Sequence, residues 1–358
     1  MNAAKQLHES GQSLWLDNIT RALLDSGTLA RFIAEDSVTG LTSNPTIFDK
    51  AITGSADYDD AMRAAAGQPA EDVFFDLAIA DLRRAADLFR PRFDETDGVD
   101  GWVSLEVSPR LASDTESTIA EAKRLHARAD RPNLYIKVPG TPEGIPAIEE
   151  LIFSGVPINV TLLFSPDHYI AAAGAYQRGL ERRHEAGLDL RVSSVASLFV
   201  SRWDVAVSGK LPAELSDRLG VAVGKQAYRA YRDLLASARW EALEDSGARP
   251  QRLLFASTGT KDPARPDTFY VTALAAEQTI NTMPQNTLEA FVDHGEVKGL
   301  LRADGGDADD TITKIAGAGI DIDALAAQLQ REGAESFVKS WNELLAQVES
   351  KTATVSAG

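Results

Sequence analysis

The sequence predicts a single parallel (β/α)8 barrel with additional helices, and three observations lead there. Eight short apolar or β-branched runs are spaced along the chain, at 13–17, 38–43, 101–107, 134–138, 156–164, 192–200, 252–261 and 279–284, the seventh ending in loop. Each is followed by a helical pattern or a helix-like return, the alternation expected of a parallel sheet. No shift in composition and no Pro/Gly/Ser linker divides the 358 residues, a length that barrels with insertions reach as one domain. The expectation is one catalytic domain over 1–349 and a flexible tail over 350–358.

The elements follow in order. After a short helical lead, the run 13–17 ends in Asp17, and a helix is expected over 18–26 with Gly27 as its stop. Asn44-Pro45 marks the turn from the second run into a helix, because asparagine caps and proline starts one without loss. Apolar residues at helical spacing from Val73 to Phe89 predict a long helix over 69–90. The run 101–107 holds Glu106, and Ser113 to Glu116 has the form of a capping box. The fourth run holds Lys137, with Thr141-Pro142-Glu143 opening the next helix. In the fifth, Asn159 and Thr161 are two apart and share one face. Ser165-Pro166-Asp167 then opens a helix reaching about Gly187. A long helix with Tyr228, Tyr231, Leu235 and Ala238 on one stripe separates the sixth and seventh runs, and helices at 324–330 and 337–348 close the chain.

Composition narrows the function classes. With 36 basic and 53 acidic side chains the formal charge is −17, which disfavours nucleic acid or an anionic membrane as partner. It leaves room for a phosphorylated small molecule held by a local basic cluster. There are no cysteines, so thiolate catalysis, disulfides and sulfur-ligated metals are excluded. The amino terminus lacks a signal-like apolar run and no stretch has the length of a membrane span, so a cytoplasmic protein is expected.

Lys137 is the residue of most chemical interest. A lysine inside the apolar run LYIKV (134–138) is uncommon, because burying an ammonium is costly. Desolvation favours the neutral amine, which can attack a ketone and form a Schiff base. The alternative is a lysine at a strand end whose stem packs while its head reaches water. In a barrel, side chains at the carboxyl ends of the strands converge on one mouth. Asp17, Asn44, Glu106, Lys137, Asn159, Thr161, Ser197, Arg202, Ser257 and Lys261 all fall there or nearby, from different strands. Structural roles stay open for some of them: Asn44 as a helix cap, Glu106 as a buried partner of Lys137, and Arg202 in a surface pair with Asp204.

Other chemistries fit poorly. His8, His126, His168, His184 and His294 are scattered without metal-ligand spacing, so no metal is expected. The stretch FASTG (255–259) lacks the first glycine of a nucleophile elbow, and GVAVGKQ (220–226) has the wrong spacing for a P-loop. No glycine-rich dinucleotide fingerprint is present, leaving a lysine mechanism without metal or cofactor.

Two motifs in order, GLTSNPTIF (40–48) and LYIKVPGTPEGI (134–145), together with INVTLLF (158–164), resemble the signatures of the transaldolase family in its longer bacterial form. The resemblance extends from Leu14 to about Trp341. It implies a class I aldolase barrel with Lys137 as the Schiff-base lysine. It implies an enzyme of the pentose phosphate pathway that moves a dihydroxyacetone unit from sedoheptulose 7-phosphate to glyceraldehyde 3-phosphate, giving erythrose 4-phosphate and fructose 6-phosphate. By the same resemblance Asp17 is the acid/base, Glu106 and Thr161 hold the water used in dehydration, and Asn44 and Asn159 hold substrate hydroxyls and the intermediate. Ser197 and Arg202 match a phosphate site, and Ser257 a substrate-binding serine. Where many members have a second arginine shortly after that serine, this chain reads STGTK (257–261), so Lys261 is expected to supply the charge, with Arg252 or Arg265 as alternatives. Sugar phosphates are the expected partners of a monomer or homodimer. A fructose 6-phosphate aldolase and a catalytically silent sugar-phosphate binding protein are the competing readings.

Overall fold

Runs buried on both faces need helices on one side and a filled interior on the other, and the chain supplies both. The computed structural model describes residues 2–357. Its strands are β1 (Gln12–Asp17), β2 (Val38–Thr42), β3 (Trp102–Glu106), β4 (Leu134–Pro139), β5 (Ile158–Leu163), β6 (Ser194–Phe199), β7 (Arg252–Ala256) and β8 (Thr279–Met283). They pair in parallel in chain order and close on themselves, β8 returning to β1. This is the (β/α)8 barrel expected from the sequence.

The interior is layered, because residues two apart on a strand share a face. Trp15, Trp102 and Tyr135 fill the amino-terminal half: the Trp102 and Tyr135 rings stack at 4.0 Å, and Trp15 lies 6.1 Å from Tyr135. Gly40 makes this plug possible. A Cβ there would stand 2.6 Å from the Trp15 indole and 2.7 Å from the Trp102 carbonyl oxygen. Below the plug, Arg252 bonds Asp100 at 3.1 Å, Ser13 at 2.6 Å and the Thr279 carbonyl at 2.9 Å. Two or four residues beyond the aromatics, on the same strands, come Asp17, Glu106 and Lys137, and two beyond Gly40 comes Thr42. The polar layer therefore begins where the aromatic layer ends.

Several helices differ from expectation for local reasons. The helix after β1 is only Arg21–Asp25, because Thr20 takes the cap and accepts from the Leu23 N–H. Thr141 and Pro142 form a turn, and the helix proper is Gly144–Phe153. The Tyr228 helix ends at Leu235, and Ser237 caps a separate helix, Ala238–Asp245. The two closing helices are one, Ile322–Ala357. The stretch 350–358, expected as a flexible tail, is helical through Ala357, and Gly358 lies outside the described residues. Its anchors are a Lys351–Asp59 ion pair at 2.9 Å, a Lys351 bond to the Ile52 carbonyl at 2.7 Å, and an Arg63 bond to the Val355 carbonyl at 3.0 Å. Trp341 on the same helix is buried edge-on against Phe74 at 4.9 Å.

Candidate active site

Parallel register sets Glu106 beside Lys137 and Lys137 beside Asn159, so three polar side chains from β3, β4 and β5 stand in a row. Lys137 is 5% exposed. Its ammonium donates to Glu106 Oε2 at 3.2 Å and to the Ser43 carbonyl at 3.3 Å. The lysine is thus buried and paired, not a strand-end residue with a solvated head. Burial pushes the Glu106 carboxyl above the ordinary carboxylate range, and the Lys137 charge pulls it part of the way back. Asp17, at the end of β1, is raised for the same reason, against the opposing pull of Lys137, a Thr42 hydroxyl bond at 2.9 Å and Lys261. One buried carboxyl, Glu106, and one half-buried carboxyl, Asp17, therefore share the neighbourhood of one buried amine, each inclined to hold a proton at a higher pH than it would in water.

Asn159 is fixed at both ends. Its Nδ2 donates to Ser104 Oγ at 3.2 Å and its Oδ1 accepts from Ser197 Oγ at 2.7 Å. Thr161, one position further up the same face, has a fully buried hydroxyl with no partner among the described residues. Such an orphan is costly unless water or a ligand satisfies it. Asn44 caps the helix Pro45–Gly54 through its Oδ1, which accepts from the Ile47 N–H at 3.1 Å, and still lines the mouth. The capping and site-lining readings of Asn44 are compatible.

Above this row is a cavity of about 360 Å³ whose walls include Asp17, Asn44, Lys137, Ser197, Arg202, Ser257 and Lys261. Its charged lining is four cations, Lys50, Lys137, Arg202 and Lys261, against the single carboxylate Asp17. In a chain of net charge −17 this is a local reversal of sign, suited to an anionic ligand. Arg202 lies against Phe199 at 5.2 Å and Phe337 at 5.8 Å, and burial lowers its affinity for its proton. It has no ion-pair partner among the described residues. The surface pair with Asp204 does not form: Asp204 faces away, accepts from Tyr270 at 2.7 Å and from the Leu219 N–H at 3.0 Å, and is pushed up to about 6 by burial. Ser257 adopts a left-handed backbone, φ 56°, and its hydroxyl meets Ser201 Oγ at 2.9 Å. Strain of this kind concentrates at functional sites. Neither Arg252 nor Arg265 lines this cavity. The first is held beneath the aromatic plug, and the second pairs with Asp217 at 2.8 Å outside the cavity.

Among the lining residues that sequence reasoning missed are Lys50, Ser336 and Phe337. Lys50 was within reach, since it follows Thr46 by one helical turn in a helix whose start the Asn-Pro motif marks. Ser336 and Phe337 carry no local signal.

The family model described as transaldolase/fructose-6-phosphate aldolase matches residues 14–348. The transaldolase of Acidothermus cellulolyticus is 49% identical over 353 residues, spanning 96% of this chain and 95% of that protein. That of Thermobifida fusca is 47% identical over 355 residues, spanning 96% of each. Transaldolase 2 of Streptomyces avermitilis is 44% identical over 364 residues, spanning 98% of this chain and 97% of that protein. With the barrel closed and the lysine buried beside Glu106 at its mouth, the chain belongs to the transaldolase/fructose-6-phosphate aldolase family.

Proposed function

We propose that this protein is a transaldolase, moving a dihydroxyacetone unit from sedoheptulose 7-phosphate to glyceraldehyde 3-phosphate through a Schiff base on Lys137. The observation that carries the reading is the Lys137 amine, buried at the cavity floor with Glu106 at 3.2 Å. Glu106, raised by burial, accepts the ammonium proton, and the freed amine attacks the donor's ketone carbon. The carbinolamine loses its hydroxyl as water, with Glu106 returning the proton and the unpartnered Thr161 hydroxyl holding that water. Asp17 takes the proton of the hydroxyl next to the scissile bond, and the iminium draws in the electron pair as the bond breaks. Erythrose 4-phosphate leaves, and the three-carbon fragment stays on Lys137. The same steps run in reverse with glyceraldehyde 3-phosphate, and fructose 6-phosphate leaves by hydrolysis of the imine.

Asn159 and Asn44 hold the fragment's hydroxyls in this reading. Ser197, Arg202, Ser257 and Lys261 hold the phosphate, the arginine as a fork and the lysine as a point charge. Loss of one charged contact costs about 1.5–3 kcal/mol, so Arg202→Ala and Lys261→Ala are each expected to raise KM for phosphorylated substrates by roughly ten- to hundredfold. Steady-state kinetics check this, and an unchanged KM in Lys261→Ala removes that residue from the phosphate site. Because burial raises both Asp17 and Glu106, the acid limb of kcat/KM is expected to fall above their ordinary values of 3.8 and 4.5. A pH profile from pH 4 to 9, taken as kcat/KM, reads it directly.

A release-only aldolase acting on fructose 6-phosphate is the second reading, since the family model covers both activities. Transfer is favoured because relatives of full length and 44–49% identity are transaldolases. Product analysis with and without acceptor aldehyde separates the two. We further propose a cytoplasmic setting, where sugar phosphates are made and used, and a monomer or homodimer, which light scattering would distinguish.

A further inference from the structure

The C-terminal helix crosses the mouth on one face, and that face is built from Gln330, Gly333 and Phe337. Gln330 Nε2 donates to the Gly140 and Leu162 carbonyls, both at 3.0 Å, tying the helix to the ends of β4 and β5. Leu162 is itself held in a left-handed conformation, φ 62°, where the pairing of β5 with β6 shifts register. Gly333 allows close approach, since a Cβ there would stand 3.0 Å from Leu162 Cδ2 and 3.4 Å from the Phe164 ring. One turn on, Phe337 lies with its ring 5.7 Å from the Lys137 ammonium, 5.8 Å from the Arg202 guanidinium and 6.4 Å from the Phe199 ring. The strand ends that carry the lysine therefore also fix the distance of this ring from it.

We propose that Phe337 is a specificity-determining residue that favours transfer of the three-carbon fragment over its release. The assignment rests on the transaldolase reading above. Once the carbon–carbon bond has broken, the fragment on Lys137 has two fates. An acceptor aldehyde can be attacked by the nucleophilic carbon, or that carbon takes a proton, water adds to the imine carbon, and the C–N bond breaks. The second route gives free dihydroxyacetone and regenerates the lysine amine. An aromatic ring over the amine offers that water no hydrogen-bonding partner. The same ring packs on Arg202, so the wall that excludes water also steadies the group proposed to bind the acceptor's phosphate.

The test compares wild type, Phe337→Ala and the milder Phe337→Leu with fructose 6-phosphate as donor. Free dihydroxyacetone is measured without acceptor, and sedoheptulose 7-phosphate with erythrose 4-phosphate present. The ratio of release to transfer is expected to rise at least about tenfold in Phe337→Ala, the lower end of what one apolar side chain discriminates, with Phe337→Leu in between. Should the alanine variant fail to fold, a raised ratio in Phe337→Leu carries the same expectation. A ratio unchanged in every folded variant overturns the assignment, including the case in which both rates fall together, as a purely structural role predicts. Borohydride trapping runs in parallel on wild type. An active wild type that gives no adduct on Lys137 overturns the Schiff-base reading itself, whereas an adduct with an unchanged ratio overturns only the role of Phe337.

Discussion

Lys137→Met is expected to lower kcat by about five to six orders of magnitude, the scale on which loss of a covalent nucleophile acts. Methionine keeps the length and apolar stem of lysine, so the loss would report chemistry more than packing. A second effect follows from Glu106, 3.2 Å away and buried. Removing one member of a buried ion pair costs about 3–5 kcal/mol when the other stays charged. Glu106 is already raised by burial, and without the Lys137 charge it rises further. A carboxyl raised in the folded state contributes stability below its unfolded value, near 4.5, and loses that contribution as pH rises through its folded value. The stability gap between Lys137→Met and wild type is therefore expected to widen from acid towards neutral pH, and to close again when Glu106→Gln is added. Denaturant titrations at three pH values would show it. A gap that ignores pH would mean that Glu106 is not the group left unpaired.

Asp17→Asn is expected to cost about two to four orders of magnitude in kcat, the usual weight of a positioned acid/base. It separates function from stability. Burial holds the Asp17 carboxyl above 3.8, so its charge costs the fold at neutral pH. Asparagine removes that charge, and its carbonyl oxygen still accepts from the Thr42 hydroxyl that now bonds Asp17 at 2.9 Å. The variant is expected to melt higher than wild type at pH 7.5, with the difference vanishing near pH 3, where both side chains are neutral. An inactive variant that melts lower at neutral pH would contradict this account of Asp17. Retained turnover would remove Asp17 from the chemistry.

The strands were readable because each is a short run with a chemical exception in it. Glu106 in WVSLE, Lys137 in LYIKVP and Asn159 in INVTLL break apolar segments, and parallel register then sets those exceptions side by side. Period-two placement by itself put Asp17 and Lys137 one step above the aromatic layer. Helix ends were less readable, since competing caps such as Thr20 and Ser237 differ little from their neighbours in type. The continuity of Ile322–Ala357 was hidden because the chain lacks one uniform stripe there: Trp341, Phe337 and Gln330 face different neighbours. Phe337 reaches the mouth only through that long crossing, about two hundred residues from Lys137 in sequence, which no local pattern encodes. Asp204 misled for the opposite reason, its nearness to Arg202 in sequence suggesting a pair that the helix turns apart.

Borohydride trapping tests the central claim most directly. The protein is incubated with fructose 6-phosphate, reduced, digested and mapped by mass spectrometry. The account predicts a reduced three-carbon adduct on Lys137, absent from Lys137→Met. An active preparation with no adduct, or with the adduct on Lys50 or Lys261, would contradict it.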